Sequence, residues 1–231
     1  MKYKYVFFDL DHTLWDFDAN ARATLEKLHL DLKLVDKGIH DFDVFYRNYL
    51  NHNEKLWAKY RTGSIRQEEL RVKRMWLTLL DFQIADEELA QQLSELFLQL
   101  LPTRTIIFPD TREVLQYLTD KRYELYLITN GFEQTQWSKL RSSGLDGFFK
   151  EMITSESSNS LKPQKEIFDY ALNKAGALAA ESIMIGDSIE VDIMGAMGAG
   201  MDQIHVNFND APQEVTPTYT VRRLRELMEI L

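Results

Sequence analysis

Two aspartates, Asp9 and Asp11, follow directly on Tyr5-Val-Phe-Phe8, an apolar run too short for a helix and bounded by charge. Such a run reads as a strand buried on both faces, and ligands of open α/β sheets bind beyond the carboxyl ends of strands. Two carboxylates this close repel unless a cation holds them, most simply a divalent metal. Taken alone, the pair also fits a turn with solvated aspartates. The arrangement recurs downstream: an apolar run from Glu124 ends in Thr129-Asn130-Gly131, and Ser182-Ile-Met-Ile-Gly186 ends in Asp187, with Asp192 on the following turn. A hydroxyl before a glycine-permitted turn can aim a side chain and backbone N–H groups at one anion, although Asn-Gly is also a common turn. Lys162-Pro163 precedes a helical pattern, a place from which a lysine can reach into a strand-end cleft.

The elements that must position these groups alternate as strand and helix. Glu151 to Ser155 and Gln203 to Asn207 add two further strands, and helices are expected from Asp110, around Gln134 to Ser143, and from Pro163. Asp110 and Glu113 have the spacing of a capping box. The tail carries Tyr219-Thr-Val221 and then a helix with Leu224, Leu227, Met228 and Leu231. His205 reads as a core or edge residue. The pattern predicts an α/β fold, a Rossmann-like doubly wound parallel sheet.

Between the first and second strands the chain turns wholly helical. Four helices are expected: Ala19 to Leu30; one from Asp41 or Asp43 to Arg61, with Phe42, Phe45, Tyr49, Leu56 and Tyr60 on one side; one opened by a Ser64–Gln67 capping box, with Leu70, Met75, Trp76 and Leu80; and one from Asp86 to Pro102. That is too long for an ordinary crossover. The domains are therefore drawn as 1–15 with 104–231 for the α/β core, and 16–103 for a helical-bundle insert.

Composition narrows the partners. Positive side chains number 27 against 36 negative ones, a net charge of −9 that disfavours nucleic-acid polymers and anionic membranes. There is no cysteine, so neither disulfide nor thiol chemistry enters. No apolar run approaches the roughly 18 residues of a membrane span, and Met1 to Lys4 leave no room for a signal peptide before the first strand. A cytoplasmic protein is expected.

Asp9-Leu10-Asp11-His12-Thr13-Leu14 resembles the first motif of the haloacid dehalogenase-like (HAD) phosphohydrolases, and the extension Trp15-Asp16-Phe17-Asp18 looks like their pyrimidine 5′-nucleotidase branch. Thr129, Lys162-Pro163 and Gly186-Asp187-x₄-Asp192 match the second, third and fourth motifs in order. The family usually has glycine two residues before the lysine; Ser160-Leu161 stand there instead, so the 155–161 loop should differ in shape. The resemblance implies that the insert is a cap closing over the site. It implies Asp9 as nucleophile, forming an aspartyl-phosphate, and Asp11 as general acid and base. Thr129, Asn130, Gly131 and Lys162 would bind the phosphoryl group, and Mg²⁺ would sit on Asp9, Asp187 and the Asp11 carbonyl, with Asp192 orienting that shell. Asp11 favours phosphate esters over halides, because expelling halide needs no proton. Trp15 and Phe17 are candidates for substrate contact or for packing.

The expected partner is a small phosphate ester, a nucleotide with a pyrimidine base favoured, handled by a monomer or homodimer. A phosphoglycolate-type or sugar phosphatase is the alternative, a phosphomutase a further one, and a phospholigand-binding sensor the non-enzymatic one.

Overall fold

The structure, a computed structural model, describes residues 2–231. Chain order runs β1 (Tyr5–Phe8), α1 (Phe17–Asp31), α2 (Phe42–Arg61), α3 (Gln67–Leu80), α4 (Glu87–Leu100), α5 (Thr111–Asp120), β2 (Glu124–Thr129), α6 (Glu133–Ser143) and β3 (Glu151–Thr154). It continues with α7 (Ser155–Ser158), α8 (Lys165–Ala175), β4 (Ser182–Gly186), α9 (Met194–Gly198), β5 (Asp202–Val206), β6 (Tyr219–Val221) and α10 (Leu227–Ile230). A π-helical turn, Ile189–Ile193, lies between β4 and α9.

All six strands pair in parallel in the order β3-β2-β1-β4-β5-β6. The chain moves one way from β1 to β2 and β3, then returns to the other side of β1 for β4, so β1 stands at the switch point of a doubly wound sheet. Parallel strands need a crossover on each face, which is why β1 and β4 are buried from end to end. Register aligns the carboxyl ends of the strands: Phe8 lies opposite Leu127 on β2 and opposite Ile185 on β4. Asp9, Thr129 and Asp187 consequently leave the sheet within a residue or two of one level.

Behind that edge, Phe7, Tyr126, Ile128 and Met184 pack with Ile167, Phe168 and Ala171 of α8 and Ala196 of α9. Each fully buried large apolar side chain contributes about 1.5–3 kcal/mol, which offsets the cost of burying charge at the strand ends.

The chain divides into two compact units, Met1–Phe17 with Thr105–Leu231, and Asp18–Arg104. The second is all helix. Asp41 and Asp86 cap α2 and α4, accepting from Val44 N at 3.1 Å and Leu89 N at 2.9 Å. Its core is aromatic, with Phe45, Tyr49 and Phe97 fully buried. Arg74 is buried there too, donating to Asn53 Oδ1 at 3.0 Å and lying over the Phe97 ring at 5.0 Å.

Local starts differ from expectation in three places. Ser64 does not open α3: its N–H donates to Lys59 O at 2.9 Å, closing α2, and the box forms two residues later, where Glu69 Oε2 accepts from Arg66 N at 3.0 Å. Asp110 takes a left-handed φ of 65° and makes no side-chain cap. Pro163 stands outside α8, which begins at Lys165. In α3, Leu79 rather than Leu80 turns inward, Leu80 being 38% exposed. No helix of the described residues is long and apolar enough to cross a membrane.

Candidate active site

Asp9 is the first residue past β1, its N–H still held by Ile185 O of β4 at 2.9 Å. Its Oδ1 accepts from Lys162 Nζ at 2.6 Å. Oδ2 is less committed, since the Thr13 hydroxyl at 3.5 Å stands nearer to Asp187 Oδ1, at 3.1 Å. Asp9 thus has one anchored oxygen and one open one. Lys162 is buried and spends its three N–H groups on Asp9 Oδ1, Asp192 Oδ1 at 2.7 Å and Ile128 O at 2.7 Å. It acts on this site through its charge and by fixing Asp9, since no hydrogen is left over for a ligand while those bonds stand.

Asp192 is delivered by the π-helical turn, with Oδ2 accepting from Ser188 N at 3.1 Å. Gly186 makes room for it, because a Cβ there would overlap the Asp192 carboxylate. Both Asp192 oxygens are therefore engaged by protein donors, as suits a residue that orients others. His205, on β5, holds the main chain of the neighbouring acid through Nε2 and Asp187 O at 2.9 Å.

Oxygens of Asp9, Asp187 and Asp192 lie within 4.8 Å of one another. Burial pushes the Asp9 carboxyl well above its ordinary range; Lys162 opposes this, while Asp192 and Asp187 reinforce it. Burial and then Asp192 push Asp187 up to about 6. Burial alone would lower the Lys162 ammonium, but the Asp192 and Asp9 carboxylates override it and hold it above the usual lysine range. Three carboxylates against one ammonium are under-compensated, and an all-oxygen donor set of this kind fits a hard divalent cation such as Mg²⁺. The Asp11 carboxylate is not part of this cluster.

Asp11 turns instead to α6. Lys139 Nζ donates to Asp11 Oδ1 at 2.6 Å and Oδ2 at 2.8 Å, and Gln136 Nε2 donates to Asp11 Oδ2 at 2.9 Å. The same amide reaches Thr129 Oγ1 at 2.8 Å. Gly131 N also donates to that oxygen, at 3.1 Å. With both lone pairs of Thr129 filled, its single O–H has no acceptor among the described residues and is set to donate to an incoming anion.

This corrects the expectation that Gly131 offers its N–H to a ligand: it is spent on Thr129. Asn130 likewise pairs its side chain with the Lys162 main chain, donating to O at 2.9 Å and accepting from N at 2.7 Å, so it holds the lysine loop. In that loop Asn159 takes a left-handed φ of 51° at the end of the single-turn α7. Trp15 is fully buried and Phe17 nearly so; the Lys139 ammonium lies 4.5 Å from the Trp15 ring centroid and 5.7 Å from that of Phe17. Trp15 therefore has no open face on which to stack a base.

Lys139, Gln136 and Thr13 are the site residues that sequence reasoning missed. A signal existed for two of them. The α6 sequence, EQTQWSKLRSS, offers only Trp137 and Leu140 as large apolar residues, so a helix packed in an α/β core must bury polar side chains. Gln136, Lys139 and Ser143 are the polar ones buried, and the first two, three apart on one face, reach Asp11.

The chain has relatives among known proteins. The model of the haloacid dehalogenase-like hydrolases matches residues 3–200. The chain is 32% identical to the putative HAD-hydrolase YfnB of Bacillus subtilis (strain 168) over 234 residues, covering all of this chain and 96% of that one. It is 31% identical to the pyrimidine 5′-nucleotidase YjjG of Escherichia coli (strain K12) over 236 residues, covering all of this chain and 99% of that one. The crystal structure of YfnB bound to magnesium superposes with a TM-score of 0.90 at 28% identity, covering all of this chain and 99% of that one. The acidic strand ends, the buried lysine and the match along most of the chain agree: this protein belongs to the haloacid dehalogenase-like hydrolase family.

Proposed function

We propose that the protein is a Mg²⁺-dependent phosphomonoester hydrolase acting on nucleoside 5′-monophosphates, with pyrimidine nucleotides preferred. The observation that carries the phosphate reading is the pairing of a carboxylate with one open oxygen, Asp9, and a hydroxyl whose only free capacity is to donate, Thr129. The open oxygen of Asp9 attacks phosphorus, the ester P–O bond breaks, and the phosphoryl group passes to Asp9 as an acyl phosphate. Lys162 fixes the other Asp9 oxygen and offsets charge, and Thr129 donates to a non-bridging oxygen. Asp11 gives its proton to the leaving alkoxide, then takes one from the water that cleaves the acyl phosphate, restoring Asp9 and releasing inorganic phosphate. Mg²⁺, held by Asp9 and Asp187 with the Asp11 carbonyl and oriented by Asp192, would supply shielding of the anionic oxygens.

Support for the nucleotide reading is the full-length similarity to a pyrimidine 5′-nucleotidase. The core groups recognise phosphate alone, so base preference must come from residues outside them. Trp15 and Phe17 stay in this reading as the aromatic wall beside Lys139 rather than as a stacking face. The deciding measurement is kcat/KM for UMP and dTMP against AMP, phosphoglycolate, a triose phosphate and a hexose phosphate, with and without Mg²⁺. A pyrimidine nucleotide should lead. A lead of about tenfold, or 1.4 kcal/mol in transition-state binding, for any non-nucleotide overturns the assignment.

A further inference from the structure

Helix α6 sends two buried polar side chains to Asp11 that the steps above do not use. Lys139 is 3% exposed and Gln136 has no exposed surface. Burying an ammonium costs several kcal/mol unless it is well paired, and the Gln136 Oε1 is buried with no partner among the described residues, a loss of about 1–3 kcal/mol. Leucine or methionine at either position would fill the same helix face without these costs. Gly131 adds to the picture, since a Cβ there would overlap the Gln136 amide, so the turn after β2 leaves room for that side chain to come through.

What the two residues hold is Asp11. The main chain on either side of it is tied down, with His12 N donating to Trp15 O at 2.9 Å and Trp15 N to Leu10 O at 2.8 Å. Its side chain is then gripped on both oxygens by Lys139 and on one by Gln136. The Trp15 ring shields the ammonium from water, which strengthens both the cation–π contact and the ion pair. Gln136 also joins Asp11 to Thr129 through one NH₂ group. The group that exchanges a proton with the leaving oxygen and the hydroxyl that meets the phosphoryl group are thereby set at one spacing.

We infer that Gln136 and Lys139 are a positioning pair for Asp11, with Lys139 fixing the orientation of its carboxylate and Gln136 coupling that orientation to Thr129. The inference rests on the phosphomonoesterase reading and adds to it the residues that make proton transfer efficient. Neither residue needs to touch substrate. Their loss should therefore fall on the step that needs a proton, since small errors of placement are costly in proton transfer and in-line displacement.

The test is single-turnover phosphoryl transfer from an alkyl phosphate and from 4-nitrophenyl phosphate, whose leaving group needs little protonation, at saturating Mg²⁺. Lys139→Met should lose about tenfold or more on the alkyl ester, within the range of general acid catalysis, but much less on the aryl ester, with KM little changed. In an Asp11→Asn background the same substitution should cost nothing further. Gln136→Met provides an independent arm if Lys139→Met does not fold: it should show the same leaving-group bias with a raised KM, because Thr129 loses a partner as well. Equal losses on the two esters in a folded variant, as a structural role would give, overturn the inference. Failure of the underlying reading looks different: the wild-type protein would hydrolyse neither ester, and the positioning role would fall with it.

Discussion

Replacing Asp187 with asparagine should make the metal-free protein more stable at neutral pH while removing most of its response to Mg²⁺. The Asp187 carboxyl is displaced from its ordinary 3.8 to about 6, first by burial and then by the neighbouring Asp192, with His12, the Thr13 hydroxyl and Lys162 pulling weakly the other way. An acid whose folded value lies above its unfolded one is favoured by folding only while protonated. Its contribution is complete below 3.8, is lost as pH climbs, and is gone above about 6. Near pH 7.5 the ionised group then costs the fold about two pH units' worth, or about 3 kcal/mol. Asparagine keeps an acceptor for Thr13 and carries no charge. Asp187→Asn should therefore raise the metal-free melting temperature by about 6–12 °C near pH 7.5, taking 2–4 °C per kcal/mol for a chain of this size. By about pH 4 the gap should shrink below about 1 kcal/mol, because the wild-type carboxyl is then protonated in the fold. Mg²⁺ at about a hundred times its dissociation constant should stabilise the wild type by about 2.7 kcal/mol, and the variant much less. Thermal melts followed by circular dichroism, in chelator and in Mg²⁺ across this pH range, read all three quantities. A variant that is less stable than wild type near pH 7.5 without metal, or a gap that does not change with pH, would refute the idea of a crowded carboxylate cluster awaiting a cation.

Asp9→Asn should leave a folded protein whose turnover is lower by about 10⁴ or more, as expected for loss of a nucleophile; brisk hydrolysis by a contaminant-free preparation would transfer that role elsewhere. Asp11→Asn should slow phosphoryl transfer from alkyl phosphates by about 10²–10⁴ and from an aryl phosphate far less, a difference that pre-steady-state bursts resolve and that equal losses would contradict. Gly186→Ala should push Asp192 off Lys162, because the new Cβ overlaps the carboxylate; a destabilisation of about 1–3 kcal/mol with loss of activity is expected in urea titration and assay, and a variant matching wild type in both would show that Asp192 can move at no cost.

The sequence by itself determined which groups gather at the sheet edge. Asp9, Thr129 and Asp187 each close an apolar run, and a run buried on both faces can end only where the chain leaves the sheet, so their position relative to a strand is legible in the residues themselves. Lys162 and Asp192 were legible from spacing and from resemblance to a family. The α/β class and the helical insert followed from the change of period at Trp15 and near Thr103.

Tertiary structure alone decided how those groups are used. A lysine and a glutamine three apart on α6 have the same spacing whether they face solvent or the site; the rotation of that helix over the β1 and β2 ends sends them to Asp11 and Thr129. Whether the Asn130 side chain and the Gly131 N–H are free to bind a ligand depends on what they meet, and both meet protein. The same holds for Ser64, which has the chemistry of a helix start but closes α2 because its N–H finds Lys59 O. Trp15, beside the acidic motif in sequence, is turned inward onto the ammonium of Lys139. Side-chain type and spacing set what chemistry is possible, whereas the pairing of each donor with one acceptor out of several is a property of three-dimensional packing, where a shift of an ångström changes the partner.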